Sequence, residues 1–211
     1  MNYTDLVADV STVGSIKYHQ NWSRLDSAGI LGEAEKWIYS KLRVRQMTAT
    51  DDVAISSAAT TAAFPTGYLD PIHLSIPGFI SSIKMLDPER FRSQLGWDES
   101  AVLPEAMPTR WADIGGLMQF NSKADQAYTA KFVFYKMPLA LSADNLTNFL
   151  TDRYPTLLRR VCLMFASEER KEFDSMDRHE IKAMSLIEDI KKESDMGMRG
   201  LEADFGWEGN D

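Results

Sequence analysis

Apolar side chains recur at two different spacings along this chain, and the spacing changes twice. Near the start, Leu6, Val7 and Val10 share one side of a short helix predicted over residues 3–10. The polar stretch from Lys17 to Asn21 follows as a connector. Ile30, Leu31, Ala34, Trp37, Ile38 and Leu42 then repeat every three or four residues, which predicts an amphipathic helix with Trp37 in its core. Ser23 or Asp26 can cap it, and Glu33, Glu35, Lys36, Lys41 and Arg43 fall on its outer face.

From about residue 45 the apolar positions alternate instead, and seven of the eight prolines lie here. Met47 and Ala49, then Val53 and Ile55, flank Asp51-Asp52 and predict a hairpin. Thr60 to Phe64, then Ile72, Leu74 and Ile76, then Phe79 to Met85 predict further strands. Asp87 before Pro88 predicts a capped short helix. Arg110 to Ile114 and Leu117 to Phe120 bracket Gly115-Gly116 as a tight hairpin. Tyr128, Ala130, Phe132 and Phe134 alternate with Thr129, Lys131, Val133 and Tyr135 as a strand with two usable faces.

Helical spacing returns in the last third. Asp152 or Thr151 can cap a helix with Pro155 in its first turn, striped by Tyr154, Leu157, Leu158, Val161, Cys162 and Phe165. A long final helix, about 171–196, is predicted to bury Phe173, Met176, Ile181, Met184, Ile187 and Ile190, with Asp174–Arg178 and Glu188–Lys192 as surface ion pairs. Three glycines are expected to stop a helix in the segment 199–211, which carries Phe205 and Trp207 among acids. Two roles fit those rings: folding back on their own domain, or anchoring in a groove on a partner.

The order helix, strand, helix predicts an α+β fold. Residues 1–44 and 143–199 form one helical bundle, residues 45–142 an inserted small antiparallel sheet or sandwich, and residues 200–211 an extended tail. With 211 residues the chain can bury a core without staples, and Cys162 as its one cysteine excludes an internal disulfide framework. The run Val161 to Ala166 is the longest strongly apolar stretch, far short of the ~20 residues that span a bilayer, so no membrane role is expected. The first twenty residues lack the apolar run of a signal peptide. Lys plus Arg number 23 against 31 acids, a formal charge of −8, which disfavours nucleic-acid wrapping or an anionic membrane surface.

Catalytic chemistry is not legible. Cys162 lies on an apolar stripe and reads as a small buried hydrophobe. His19, His73 and His179 stand apart without partners at metal-ligand spacing, so neither metal nor cofactor is expected. Gly115-Gly116 lacks the Lys-Ser/Thr of a phosphate loop. Paired carboxylates among 31 acids do not single out a glycan hydrolase, the enzymatic alternative. Arg153, Arg159 and Arg160, clustered around one helix, suit acids of a neighbouring subunit or phosphate. Met164, Met176 and Met184 suit either the core or a subunit interface.

Four stretches carry a family likeness: Asn2-Tyr-Thr-Asp-Leu-Val7, Ala34-Glu-Lys-Trp-Ile-Tyr-Ser-Lys-Leu-Arg-Val-Arg45, Phe64-Pro-Thr-Gly-Tyr-Leu-Asp70 and Asn148-Phe-Leu-Thr-Asp-Arg-Tyr-Pro-Thr-Leu157. With the passage from Pro108-Thr109 to Phe120, the chain resembles the head-to-tail adaptor proteins of tailed bacteriophages. Residues 13–20 do not match the end of the family's first helix, and residues 96–107 look like an insertion.

The resemblance implies a structural role without catalysis. It implies a twelve-fold homo-oligomeric ring in the virion neck, assembled in the host cytoplasm. One side of the ring binds the portal protein and the other receives tail, nozzle or neck proteins. Genomic DNA passes through during packaging and ejection without specific binding, which an acidic wall favours by repelling phosphate. The C-terminal segment, with Leu201, Phe205 and Trp207, is then the portal-binding tail. A stopper or tail-terminator ring is the alternative neck component; sheet would dominate such a chain, and the long helices argue against it.

Overall fold

The computed structural model describes residues 2–8, 27–79, 82–95 and 103–202. The fold is mixed α+β, and the chain divides into two compact units. One combines Met1–Gln46 with Pro138–Asp211, and the other is Met47–Met137.

In the first unit, α1 covers residues 3–8 and α2 covers Ser27–Lys41. Then α4 covers Phe149–Arg153, α5 Pro155–Glu169 and α6 Phe173–Glu202. A reciprocal cap starts α1: Asn2 Oδ1 accepts from the Asp5 N–H at 2.9 Å, and Asp5 Oδ2 accepts from the Asn2 N–H at 3.2 Å. Leu6 is buried, and the Tyr3 N–H donates to the Leu146 carbonyl at 2.8 Å. Both α2 and α6 pack on α5. That is why α5 is buried on more than one stripe: Leu157, Leu158, Val161, Cys162, Leu163, Met164, Ala166 and Ser167 are all enclosed. The proposed caps Ser23 and Asp26 lie outside the described residues.

Several expectations for this unit need correction. Glu35 is not on the outer face of α2 but buried at 2 % exposure, whereas Trp37 is half-buried with the Lys41 ammonium 4.9 Å from its ring centroid. Neither Asp152 nor Thr151 caps the helix after Thr147: Asn148 does, as the N-cap of α4 with Thr151 in its capping box, and Pro155 then opens α5 as a separate helix. On α6, Phe173 and Ile181 are 59 % and 69 % exposed, because the enclosed face follows Ala183, Ile187 and Ile190. Position 181 sits about 200° behind 183 around the helix. The Arg178 Nε donates to the Asp174 carbonyl rather than its carboxylate, and Glu188 pairs with Lys191, not Lys192. The helix also continues through Gly197 and Gly200 to Glu202; residues 203–211 lie outside the described residues.

The second unit stacks two sheets. Strands β1 (Thr48–Ile55), β7 (Tyr128–Lys136) and β3 (Tyr68–Ser75) form an antiparallel sheet in the order β1-β7-β3. Strands β2 (Thr61–Ala63), β6 (Leu117–Phe120), β5 (Arg110–Ile114) and β4 (Lys84–Met85) form the other, with β4 parallel to β5. The sheet region is therefore mixed rather than wholly antiparallel. Asp51-Asp52 is no turn: β1 runs straight through, and Asp52 sits opposite Lys131 with a 2.5 Å ion pair. Cross-strand lysines make two turn-forming residues acceptable on an edge strand. Among the described residues of the predicted strand from Phe79 to Met85, only the two-residue β4 is strand, and Gly78 at φ +90° turns the chain just before it.

One cluster fills the space between the sheets, drawing Val53, Ile55, Leu74, Trp111, Met118 and Phe132 from both. Trp111 meets Phe132 edge-on at 5.8 Å, and Phe132 stacks near Phe134 at 5.1 Å. The Gly115-Gly116 hairpin forms as expected: both glycines have positive φ, +64° and +76°, and Ile114 faces Leu117. Asp87 Oδ1 accepts from the Arg90 N–H at 2.9 Å and caps α3 (Pro88–Leu95), again as expected.

The turn from α5 to α6 closes by a Schellman pattern: the Lys171 N–H donates to the Glu168 carbonyl, and the Glu172 N–H to that of Ser167. Lys171 takes the left-handed conformation, φ +61°, that glycine usually fills. Replacing it, Lys171→Gly, should raise stability by about 0.5–1 kcal/mol in urea unfolding; a lower midpoint would contradict this reading of the turn.

Candidate functional site

Among its described residues the helical unit encloses a polar cluster around Glu35. Glu35 comes from α2 four residues before Tyr39, so both side chains leave one face of the helix. The connector after residue 137 returns to that face. Glu35 Oε2 accepts from the Leu141 N–H at 2.9 Å, and Oε1 accepts from Asn148 Nδ2 at 2.7 Å and from the Tyr39 hydroxyl at 3.4 Å. Asn148 Nδ2 also lies 3.1 Å from the Tyr39 oxygen. Through its other amide atom, Oδ1, Asn148 accepts the Leu150 and Thr151 N–H groups and starts α4. A single asparagine thus ties a helix start to a buried carboxylate on another helix.

Burial raises the Glu35 pKa above its usual value, and the three donors pull it back only in part. Burial, then the nearby Glu35 charge, pushes the Cys162 thiol up to about 12, which makes it a poor nucleophile. Tyr39 is raised by burial and by Glu35 in the same way. The three donors to this carboxylate tie α2 to the returning connector, and the thiol beside it is inert. Among the described residues no group of His, Cys, Asp and Glu is placed to hold a metal ion. Nor is any described helix long and apolar enough to cross a membrane.

The residues singled out from the sequence are distributed unevenly. Met164 is buried at 5 % exposure inside the helical core, whereas Met176 and Met184 on α6 are half-buried. Arg153 at the end of α4 is exposed; Arg159 and Arg160 on α5 are half-buried, and Arg160 Nη1 lies 3.4 Å from His179 Nδ1 on α6. The three arginines therefore do not make one open basic patch. His73 is exposed on β3, and His19 lies outside the described residues. Leu201 is in the last turn of α6, while Phe205 and Trp207 lie outside the described residues. The Glu35–Asn148 cluster was missed. Its one sequence signal is Asn148 with Thr151 three residues later, a capping-box spacing, inside a stretch that carried the family likeness.

Truncating Glu35 to Ala leaves buried donors unmatched and should cost about 2–4 kcal/mol in urea unfolding. A carboxyl whose pKa is raised by folding binds its proton more tightly in the folded chain. Stability from this group is thus greatest below the ordinary carboxylate value and falls as pH rises through the raised one. The stability advantage of the native chain over Glu35→Gln should therefore shrink as pH climbs from 4 towards 7. An advantage that grows over that range would contradict the assignment.

No curated protein matches this chain. A family model does, over residues 1–203, and its description is SU10 adaptor protein. The match runs through both described units and ends before Phe205 and Trp207. The order of elements and the four motif stretches agree with it. The chain belongs to the SU10 adaptor protein family, phage structural proteins of the head-to-tail connector.

Proposed function

We propose that the protein forms a ring of twelve copies on the portal of a tailed phage, prolongs the DNA channel, and presents the surface to which the tail attaches. The observation that carries this reading is the family match along residues 1–203. The helices of the two chain ends act as one bundle that bears the sheet-rich unit as an insertion. Its assembly takes place in the host cytoplasm, and the mature ring sits in the virion neck.

Contacts between copies fall to side chains that the helical unit leaves partly open. Met176 and Met184 on α6 and the basic groups Arg153, Arg159 and Arg160 are the proposed interface residues, with Met164 supporting them from the core. Leu201, Phe205 and Trp207 are the proposed portal anchors, aromatic and aliphatic groups of the kind that dominate binding energy. The charge of −8 suits a lumen through which DNA slides: phosphate is repelled, and no counterions are released to hold it. A stopper or tail-terminator ring is less well supported, since the 15-residue α5 and 30-residue α6 outweigh the sheets.

The chain should co-sediment with its portal protein, and Phe205→Ala with Trp207→Ala should weaken that binding at least tenfold, about 1.4 kcal/mol or more, without lowering the melting temperature. Full binding by the double variant would remove those two rings from the interface.

A further inference from the structure

The sheet-rich unit contains a cleft that the adaptor role leaves unused. Two cavities of about 270 and 210 Å³ share Ser82 and Lys84 at their boundary. The larger is walled by Ile72 and Leu74 of β3 and by Ile83 and Met85, with Trp111 among its lining residues. Ile72 and Met85 are 47 % and 44 % exposed, so its rim is apolar and open to solvent. The smaller is lined by Met107, Pro108 and Arg110. Among the described residues no acid lines either cavity, and His73, Lys84 and Arg110 do, in a chain where acids outnumber bases by 31 to 23.

The cleft lies between two sheet edges, β3 and β4. Neither edge invites another strand. Pro71 lacks an N–H, β3 pairs with two register shifts, and β4 is two residues long. An occupant must therefore enter by its side chains: a large apolar group into the larger cavity, and carboxylates towards Lys84 and Arg110.

We infer that this cleft receives residues 203–211 of a second copy of the chain. That segment holds Phe205 and Trp207 together with Asp204, Glu208 and Asp211, and it has no lysine or arginine. Its chemistry is complementary to the cleft in both respects. An aromatic ring brings about 150–250 Å² of surface to bury, and acids flank each ring in sequence. The nine residues span up to ~30 Å when extended, enough for one segment to reach both adjoining cavities. If the same segment also anchors on the portal, the two dockings exclude each other, so a free ring holds its tails on neighbouring copies and gives them up to the portal.

A fluorescein-labelled peptide of residues 203–211, titrated with the full chain, tests this. Saturable binding is expected, weakened about tenfold by Lys84→Glu or Arg110→Glu and weakened by added salt. Lys131→Glu, which alters an exposed ion pair with Asp52 and lines neither cavity, should leave it unchanged. Both cleft lysine and arginine side chains are exposed, so circular dichroism should show an intact fold. To identify the donor copy, chains carrying Lys84→Cys are mixed with chains carrying Gly206→Cys under mild oxidation, and a disulfide-linked pair is expected. No saturable binding, equal binding by the cleft variants, or no cross-linked pair overturns the inference. None of these outcomes bears on portal attachment, which the co-sedimentation experiment reads separately.

Discussion

The carboxylate of Glu35 reaches across 106 residues of sequence to the backbone of Leu141, and the helical unit depends on that closure. An amphipathic α2 cannot hold its apolar face alone in water; its partner α5 appears only after the chain has built the whole sheet-rich unit. Closing so long an excursion costs chain entropy that grows slowly with length. Packing of α2 on α5 offsets it, and the Glu35–Leu141–Asn148 bonds set where the returning connector lies. A buried carboxylate is a costly way to gain net stability. What it supplies is direction: an apolar side chain at position 35 would tolerate the connector in many places, and two matched hydrogen bonds from Leu141 and Asn148 tolerate it in one.

The same logic explains how the second unit can be an insertion. Its core is self-sufficient, built from aromatic rings of β5 and β7 with aliphatic side chains from both sheets, and it asks nothing of the helices to be filled. Charged cross-strand pairs on β1 and proline with register shifts on β3 guard the edges of its three-stranded sheet. A ring built of such subunits would have many exposed strand edges near one another, where unguarded edges would pair at random.

Much of this architecture was legible because local chemistry and tertiary demand agreed. Gly115-Gly116 between alternating runs, Asp87 before Pro88, and the 3.6-residue stripe on α2 each state one structure, and each formed. Where they disagreed, the sequence misled. Asp51-Asp52 has turn chemistry, but Lys131 and Lys136 across the ladder accept it in a strand. Glu35 looks like a surface acid until Asn148, 113 positions later, presents its amide. Ile181 looks like core, yet the helix face that meets α5 passes through the smaller Ala183. Those three outcomes depend on residues distant in sequence, which no local pattern records. For the site, the three arginines do not form one open patch, and Phe205 and Trp207 fall beyond the described residues.

Stoichiometry in the particle bears most directly on the adaptor account. Quantitative peptide mass spectrometry of purified virions should give one copy of this chain per portal subunit, as stacked rings of equal symmetry require. Absence of the chain from the particle, or a copy number unrelated to the portal's, would contradict a ring seated on the portal.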